Sequence, residues 1–149
     1  MPMHPIRLKG LDHVVLRVLD LDRSVAFYES VLGCAEERRL EDLGLIQLRA
    51  GSSLIDLVGV DTPLGRAGGG EPARQRPNLD HFALTLEDFD ADAIREHLAE
   101  YGVESGEPQE RYGATGFGPS IYIRDPDGNT VELKGPPSDV SGIGASRQS

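Results

Sequence analysis

Two histidines in this chain stand in the same short phrase. "GLDHVVLRV" fills residues 10–18 and "NLDHFALTL" fills residues 78–86, so His13 and His81 each follow Leu-Asp and each open an alternating apolar run. Imidazole is a common metal ligand, and two imidazoles from matching places in a repeat point to one shared ion. Two carboxylates complete the set, Asp56 in "SLIDLVGV" and Glu132 in "TVELKG". Two nitrogens with two oxygens suit Zn, Ni, Co, Mn or Fe(II) better than soft Cu(I) or hard Ca. His4, in a loose terminus, and His97, on the exposed side of a helical stretch, have no such context.

The elements that must position these residues repeat too. Residues 11–22 and 79–90 agree at Leu11/Leu79, Asp12/Asp80, His13/His81, Leu16/Leu84, Asp20/Asp88 and Asp22/Asp90. Each copy leads from a strand into a helical segment. The first is "DRSVAFYESVLG", with Asp22 or Ser24 as cap and Gly33 as terminator; the second is "DFDADAIREHLAEYG", ending at Gly102. Val25, Tyr28 and Leu32 fall at helical spacing, as do Ile94, Leu98 and Tyr101. Strand pairs follow. "LIQLRA" and "SLIDLVGV" flank the turn "AGSS". "SIYIRD" and "TVELKG" flank "DPDGN", where Pro126 presets φ and Gly128 can take a positive one. A short strand is expected before each pair, around "EERRL" and "VESGEP". Each half reads βαβββ, an α+β class: module one at about residues 10–60, module two at about 79–136, together one domain over 1–149.

Residues 61–78, "DTPLGRAGGGEPARQRPN", join the halves and read as a flexible linker or as a mobile flap over a site. The tail, 137–149, has no apolar period and is expected to be flexible.

A strand sends alternate residues to opposite faces. His13, Arg17, Gln47, Arg49 and Asp56 share the polar face of module one. His81, Thr85, Tyr122, Arg124, Glu132 and Lys134 share that of module two. The opposite faces carry Leu16, Ile46, Leu48, Ile55, Leu57, Ile121, Ile123, Val131 and Leu133 and can pack under the helices. Antiparallel sheets often keep one wet face, and a lone strand histidine is often just a hydrogen-bonded, half-buried group. Here the histidines and carboxylates recur on the first and last strand of both halves, as a metal site requires.

Bulk properties narrow the function. The apolar fraction of 38% and charged fraction of 27% are those of a soluble globular chain. A net charge of −10 argues against nucleic acid and against an anionic membrane as partners. No run approaches the roughly 18 apolar residues of a membrane span, and the N-terminal stretch lacks the apolar core of a signal peptide. The single cysteine, Cys34, excludes an internal disulfide and fits a cytoplasmic protein. Cys34 reads as a small packing residue, with a nucleophile as the other option.

The segments "LDHVVLRVLDLDRSVAFYESVLG" and "RYGATGFGPSIYIRDPDGNTVELKG" resemble the vicinal oxygen chelate superfamily, also called the glyoxalase / bleomycin resistance / dioxygenase family. The likeness runs over about residues 10–136. It implies two βαβββ modules curled into a cup-shaped mixed sheet, with helices on the outer face and a divalent metal inside. It also implies metal ligands at His13, His81 and Glu132. The fourth position, often Glu or His in the family, is Asp56 here, one methylene shorter, so coordination through a water is an alternative to direct binding. Open metal positions would take two neighbouring oxygens of a small substrate.

A glyoxalase-I-like lyase or isomerase fits this set, with Asp56 or Glu132 as catalytic base. Arg17, Arg49, Tyr122, Arg124 and Lys134 would then bind an anionic substrate. Alternatives are an Fe(II) extradiol-type dioxygenase built on His13, His81 and Glu132, a fosfomycin-type thiol transferase, and a metal-free drug-sequestering protein. The resemblance also implies a homodimer.

Overall fold

The computed structural model describes residues 4, 5, 7, 9–68 and 79–138. The chain divides into two compact units, Met1–Glu71 and Pro72–Ser149. Each is one βαβββ module with a mixed four-stranded sheet.

In module one, β1 (His13–Val18) leads into α1 (Leu21–Ala26), whose last turn widens into a π-helical turn at Phe27–Val31. Then come β2 (Ala35–Leu40), β3 (Leu45–Ala50) and β4 (Ser53–Gly59). The sheet order is β1-β4-β3-β2. β1 runs parallel to β4, the last strand, and the other neighbours are antiparallel. The first strand can reach the last in parallel only because the helix carries the chain back along the sheet. α1 packs on β4. The core is the face predicted from alternation: Leu16, Val18, Ile46, Leu48, Ile55 and Leu57 are buried with Val25 and Tyr28.

The cap of α1 is Asp20, not Asp22 or Ser24. Its carboxylate accepts from the Arg23 amide at 3.0 Å, while Ser24 lies wholly buried within the helix. Val31 is buried where α-helical spacing pointed to Leu32, because the wider π turn rotates the inward stripe by about one residue. Gly33 ends the segment at φ 79°, a conformation that favours glycine. Cys34 is buried beside it, and burial, then the Glu29 charge, pushes its thiol up to about 11. It is a packing residue rather than an activated nucleophile.

Within the segment read as a linker, Pro63–Ala67 form a short helix, α2, capped by the Thr62 hydroxyl. Gly65 lets α2 lie against the end of β4: a Cβ there would meet the Gly59 carbonyl at 1.8 Å. Residues 69–78 and 139–149 lie outside the described residues.

In module two, β5 (Phe82–Thr85) leads into α3 (Ala91–Glu100), then β6 (Gln109–Gly113), β7 (Gly116–Arg124) and β8 (Thr130–Lys134). The order β5-β8-β7-β6 repeats that of module one, again with the first strand parallel to the last. Asp90 caps α3 and Leu98 is its buried anchor. Tyr101, expected on the inward stripe, is 52% exposed because it stands past the last helical turn, at the C-cap. The short strand expected at "VESGEP" forms just later, as Gln109–Gly113. Gly106 and Pro108 interrupt the earlier stretch, and Pro lacks the amide a ladder needs. Among the described residues, no helix is long and apolar enough to cross a membrane.

Candidate metal centre

Each module lays one polar side chain per strand across its sheet, in the same order. In module one the row is His13 on β1, Asp56 on β4, Gln47 on β3 and Arg38 on β2. Gln47 and Asp56 are register partners, as are Arg38 and Gln47. Arg38 donates to Gln47 Oε1 at 3.4 Å, Gln47 Nε2 donates to Asp56 Oδ2 at 3.0 Å, and His13 Nε2 stands 4.0 Å from that same Oδ2. In module two the row is His81 just ahead of β5, Glu132 on β8, Tyr122 on β7 and Arg111 on β6. Tyr122 and Glu132 are register partners, so the phenol stands beside the Glu132 carboxylate on the neighbouring strand. His81 Nε2 lies 3.3 Å from Glu132 Oε1, and its ring meets Tyr122 edge-on at 5.4 Å.

The residue before each histidine has a role that sequence reasoning did not assign. Asp12 Oδ2 lies 2.8 Å from His13 Nδ1, and Asp80 Oδ1 lies 2.8 Å from His81 Nδ1. An ionised carboxylate only accepts hydrogen bonds, so Nδ1 carries the proton in both rings. In the neutral ring Nε2 is then a bare lone pair turned toward the buried carboxylate, as a metal ligand must be. The signal was present in the repeated Leu-Asp-His.

Both carboxylates are buried, Asp56 at 4% and Glu132 at 5% exposure. Asp56 Oδ1 is buried with no hydrogen-bond partner among the described residues. A carboxylate oxygen removed from water without a donor is costly, and a cation is the partner that offsets the cost. Each pair, His13 with Asp56 and His81 with Glu132, therefore has the chemistry of metal ligands: an imidazole Nε2 beside a buried carboxylate. Among the described residues, no His, Cys, Asp or Glu joins either pair to make a group of three or more that could hold an ion.

Electrostatics sharpen these roles. The Asp12 hydrogen bond, then the Asp56 charge, hold the His13 imidazole above its ordinary pKa. Burial, then the Glu132 charge, raise the Tyr122 phenol, which keeps it a donor.

The other expected substrate-binding residues are distributed differently. Arg17 donates to the Gly65 carbonyl at 3.2 Å and so braces α2. Arg49 makes a two-pronged pair with Glu37 at 3.2 and 3.1 Å on the exposed surface. Arg124 is exposed at the end of β7. Lys134 is buried and donates to the Gly116 carbonyl at 3.0 Å. Arg111 was missed because its strand was expected several residues earlier, which left its facing unread.

Comparison with known proteins identifies the family and the fold. The chain is 30% identical over 132 residues to the glyoxalase domain-containing protein RDO1 of Mycosarcoma maydis, covering 86% of this chain and 69% of that protein. It is 35% identical over 127 residues to virulence protein STM3117 of Salmonella typhimurium, covering 83% and 81%. The crystal structure of STM3117 superposes with a TM-score of 0.66, covering 88% of this chain and 99% of the other. A metallothiol transferase, FosB of Shouchella clausii, is 26% identical over 126 residues, covering 85% and 80%. A match over residues 10–133, running through both modules from the approach to His13 as far as Glu132, makes the chain a member of the Glyoxalase/Bleomycin resistance protein/Dioxygenase superfamily.

Proposed function

We propose that the chain is a divalent-metal-dependent enzyme of this superfamily, a glyoxalase-I-like lyase or isomerase acting on a small anionic substrate. One observation carries the reading: both modules present the same histidine–carboxylate pair, each histidine with Nδ1 tied to an aspartate, and Asp56 Oδ1 is buried without a donor. His13, His81 and Glu132 would hold the ion, with Asp56 as the weakest ligand. A cation held there would supply Lewis acidity to oxygens of the substrate.

The protein's own groups supply the rest. Asp12 and Asp80 keep both imidazoles in the ligating tautomer. Tyr122, register partner of Glu132 and kept protonated by burial and then the Glu132 charge, is placed to donate to that carboxylate. Gln47 holds Asp56 through Oδ2, so Oδ1 is the oxygen left to take a proton from carbon beside a carbonyl and return it. Glu132, with an oxygen 3.3 Å from His81 Nε2, is the less suited of the two bases. Arg17, Arg49, Arg124 and Lys134 remain candidate cations for the substrate's charge.

A second reading, thiol transfer, draws support from the likeness to the metallothiol transferase. The site of action is taken as the cytoplasm, where Cys34 stays reduced, and the assembly as a homodimer. Elemental analysis of protein purified without chelator tests the proposal. Stoichiometric Ni, Co or Zn supports the lyase, Mn the transferase, Fe an oxygenase, and protein that takes up no metal defeats it. Incorporation of solvent deuterium beside the substrate carbonyl separates proton transfer from thiol addition.

A further inference from the structure

The row of module two ends in a cation that no carboxylate neutralises among the described residues. Arg111 lays its guanidinium over the Tyr122 ring, with 4.2 Å between Cζ and the ring centroid. Its Nη1 donates to Ser120 Oγ at 2.6 Å and to the Ser120 carbonyl at 3.3 Å. These contacts fix the group without cancelling its charge. The chain holds 25 acidic residues against 15 basic ones, and Arg39, Arg49 and Arg95 each pair with a glutamate. Arg111 is half-buried and makes no ion pair among the described residues.

A second such cation lies against the same strands. Lys134 is 6% exposed, and its ammonium donates to the Gly116 carbonyl. Gly118 is the register partner of Arg111, and a Cβ built there would stand 2.7 Å from the Pro136 carbonyl oxygen, 3.0 Å from that of Gly135 and 3.1 Å from Lys134 Nζ. The ammonium therefore lies over the strand position that faces Arg111. Ser120, wholly buried, is the register partner of Lys134 as well as the acceptor for Arg111. A buried ammonium and a half-buried guanidinium, with no carboxylate paired to either among the described residues, leave positive charge that an arriving oxyanion offsets. The planar fork of arginine matches the oxygens of a carboxylate or phosphonate in a way a point charge does not.

We propose that Arg111, seated by Ser120 and Tyr122 and backed by Lys134, is the receptor for an oxyanionic group of the substrate beside the His81–Glu132 pair. The inference rests on the metal-enzyme reading for the rest of the substrate, but the anion site itself needs module two alone.

The test uses the full chain stripped of metal, with inorganic phosphate and acetate as probes. Each is titrated while the Arg111 Nε–H resonance and the binding heat are followed. We expect the resonance to shift on titration, more with phosphate for a phosphonate-type substrate and more with acetate for a carboxylate-type one. Arg111→Gln should weaken binding of the preferred probe about tenfold or more, and Arg111→Lys, which keeps the charge without the fork, by less. A silent Arg111 resonance with both probes, or unchanged affinity in a folded Arg111→Gln protein, overturns the proposal. If that variant does not fold, the wild-type resonance decides alone. Metal uptake is measured on the same preparations. Protein that takes no metal yet binds the probe at Arg111 overturns the metal-enzyme reading and leaves this one standing. Protein that takes metal while Arg111 stays silent does the reverse.

Discussion

His81 Nε2 stands 3.3 Å from Glu132 Oε1, whereas His13 Nε2 stands 4.0 Å from Asp56 Oδ2. The shorter aspartate falls back from its histidine, and Gln47 holds the oxygen that faces it. On the proposed metal reading, Glu132 would be the stronger ligand and Asp56 the weaker. Glu132→Ala, His13→Ala and His81→Ala should each abolish stoichiometric metal binding. Asp56→Ala should weaken it by about 10–100-fold, the scale of an outer-sphere group. Competition against a chromogenic chelator measures both, and equal losses in the Asp56 and Glu132 variants would make Asp56 a full ligand.

Much of this was legible in the sequence, because the fold's signal is periodic. Alternation in "LIQLRA", "SLIDLVGV", "SIYIRD" and "TVELKG" places Gln47 with Asp56 on the polar face of one sheet and Tyr122 with Glu132 on that of the other. Glycine ends were read correctly at Gly33 and Gly102, where a positive φ is required. What failed was local competition that a period cannot see. Asp20, Asp22 and Ser24 are all capable caps, and only the chain's entry direction from β1 selects Asp20. Strand β6 could not be placed, because Gly106 and Pro108 break any alternation ahead of it. That one misplaced strand hid Arg111. The Asp12 and Asp80 bonds run between sequence neighbours, a contact that alternation across a strand would not foresee.

Asp12 and Asp80 hold the tautomer, so each should matter to metal binding without touching the metal. Their side chains are 91% and 97% exposed, and water weakens such bonds. The expected effect of Asp12→Ala or Asp80→Ala is thus the low end of the outer-sphere range, about tenfold in metal affinity. The selective readout is nitrogen NMR of the metal-free rings: the adjacent histidine should turn from Nδ1-protonated to a mixture of tautomers. Unaltered tautomer populations would leave the repeated aspartates with no part in the site.

Metal-free protein and metal-loaded protein should respond to pH with opposite signs. The His13 pKa is raised above 6.5 by the Asp12 hydrogen bond and then by the Asp56 charge. The stabilisation this group gives the metal-free fold is complete below about pH 6.5 and fades as the pH rises through the raised value. Metal needs the neutral ring, so affinity should climb across the same window. Melting curves of wild type and His13→Ala, each with and without metal from mildly acid to mildly alkaline pH, isolate the contribution of this residue. A wild-type advantage that grows with pH in the metal-free protein would contradict the assigned partners.

The last prediction concerns which chains supply the two rows. The resemblance to a family whose members often pair implies a dimer in which His13 and Asp56 of one copy serve with His81 and Glu132 of another. A C2 assembly of that kind has two equivalent sites, each dependent on both chains. His13→Ala spoils one row of its chain and His81→Ala spoils the other, so neither variant alone should hold metal. Refolded together, the mixed dimer has one site with all its ligands and one lacking both histidines. Statistical mixing then restores roughly a quarter of the wild-type metal content. Native mass spectrometry identifies the mixed species, and elemental analysis of that fraction reads the recovery. Mixed dimers that carry no metal would mean that each chain builds its site from its own two modules.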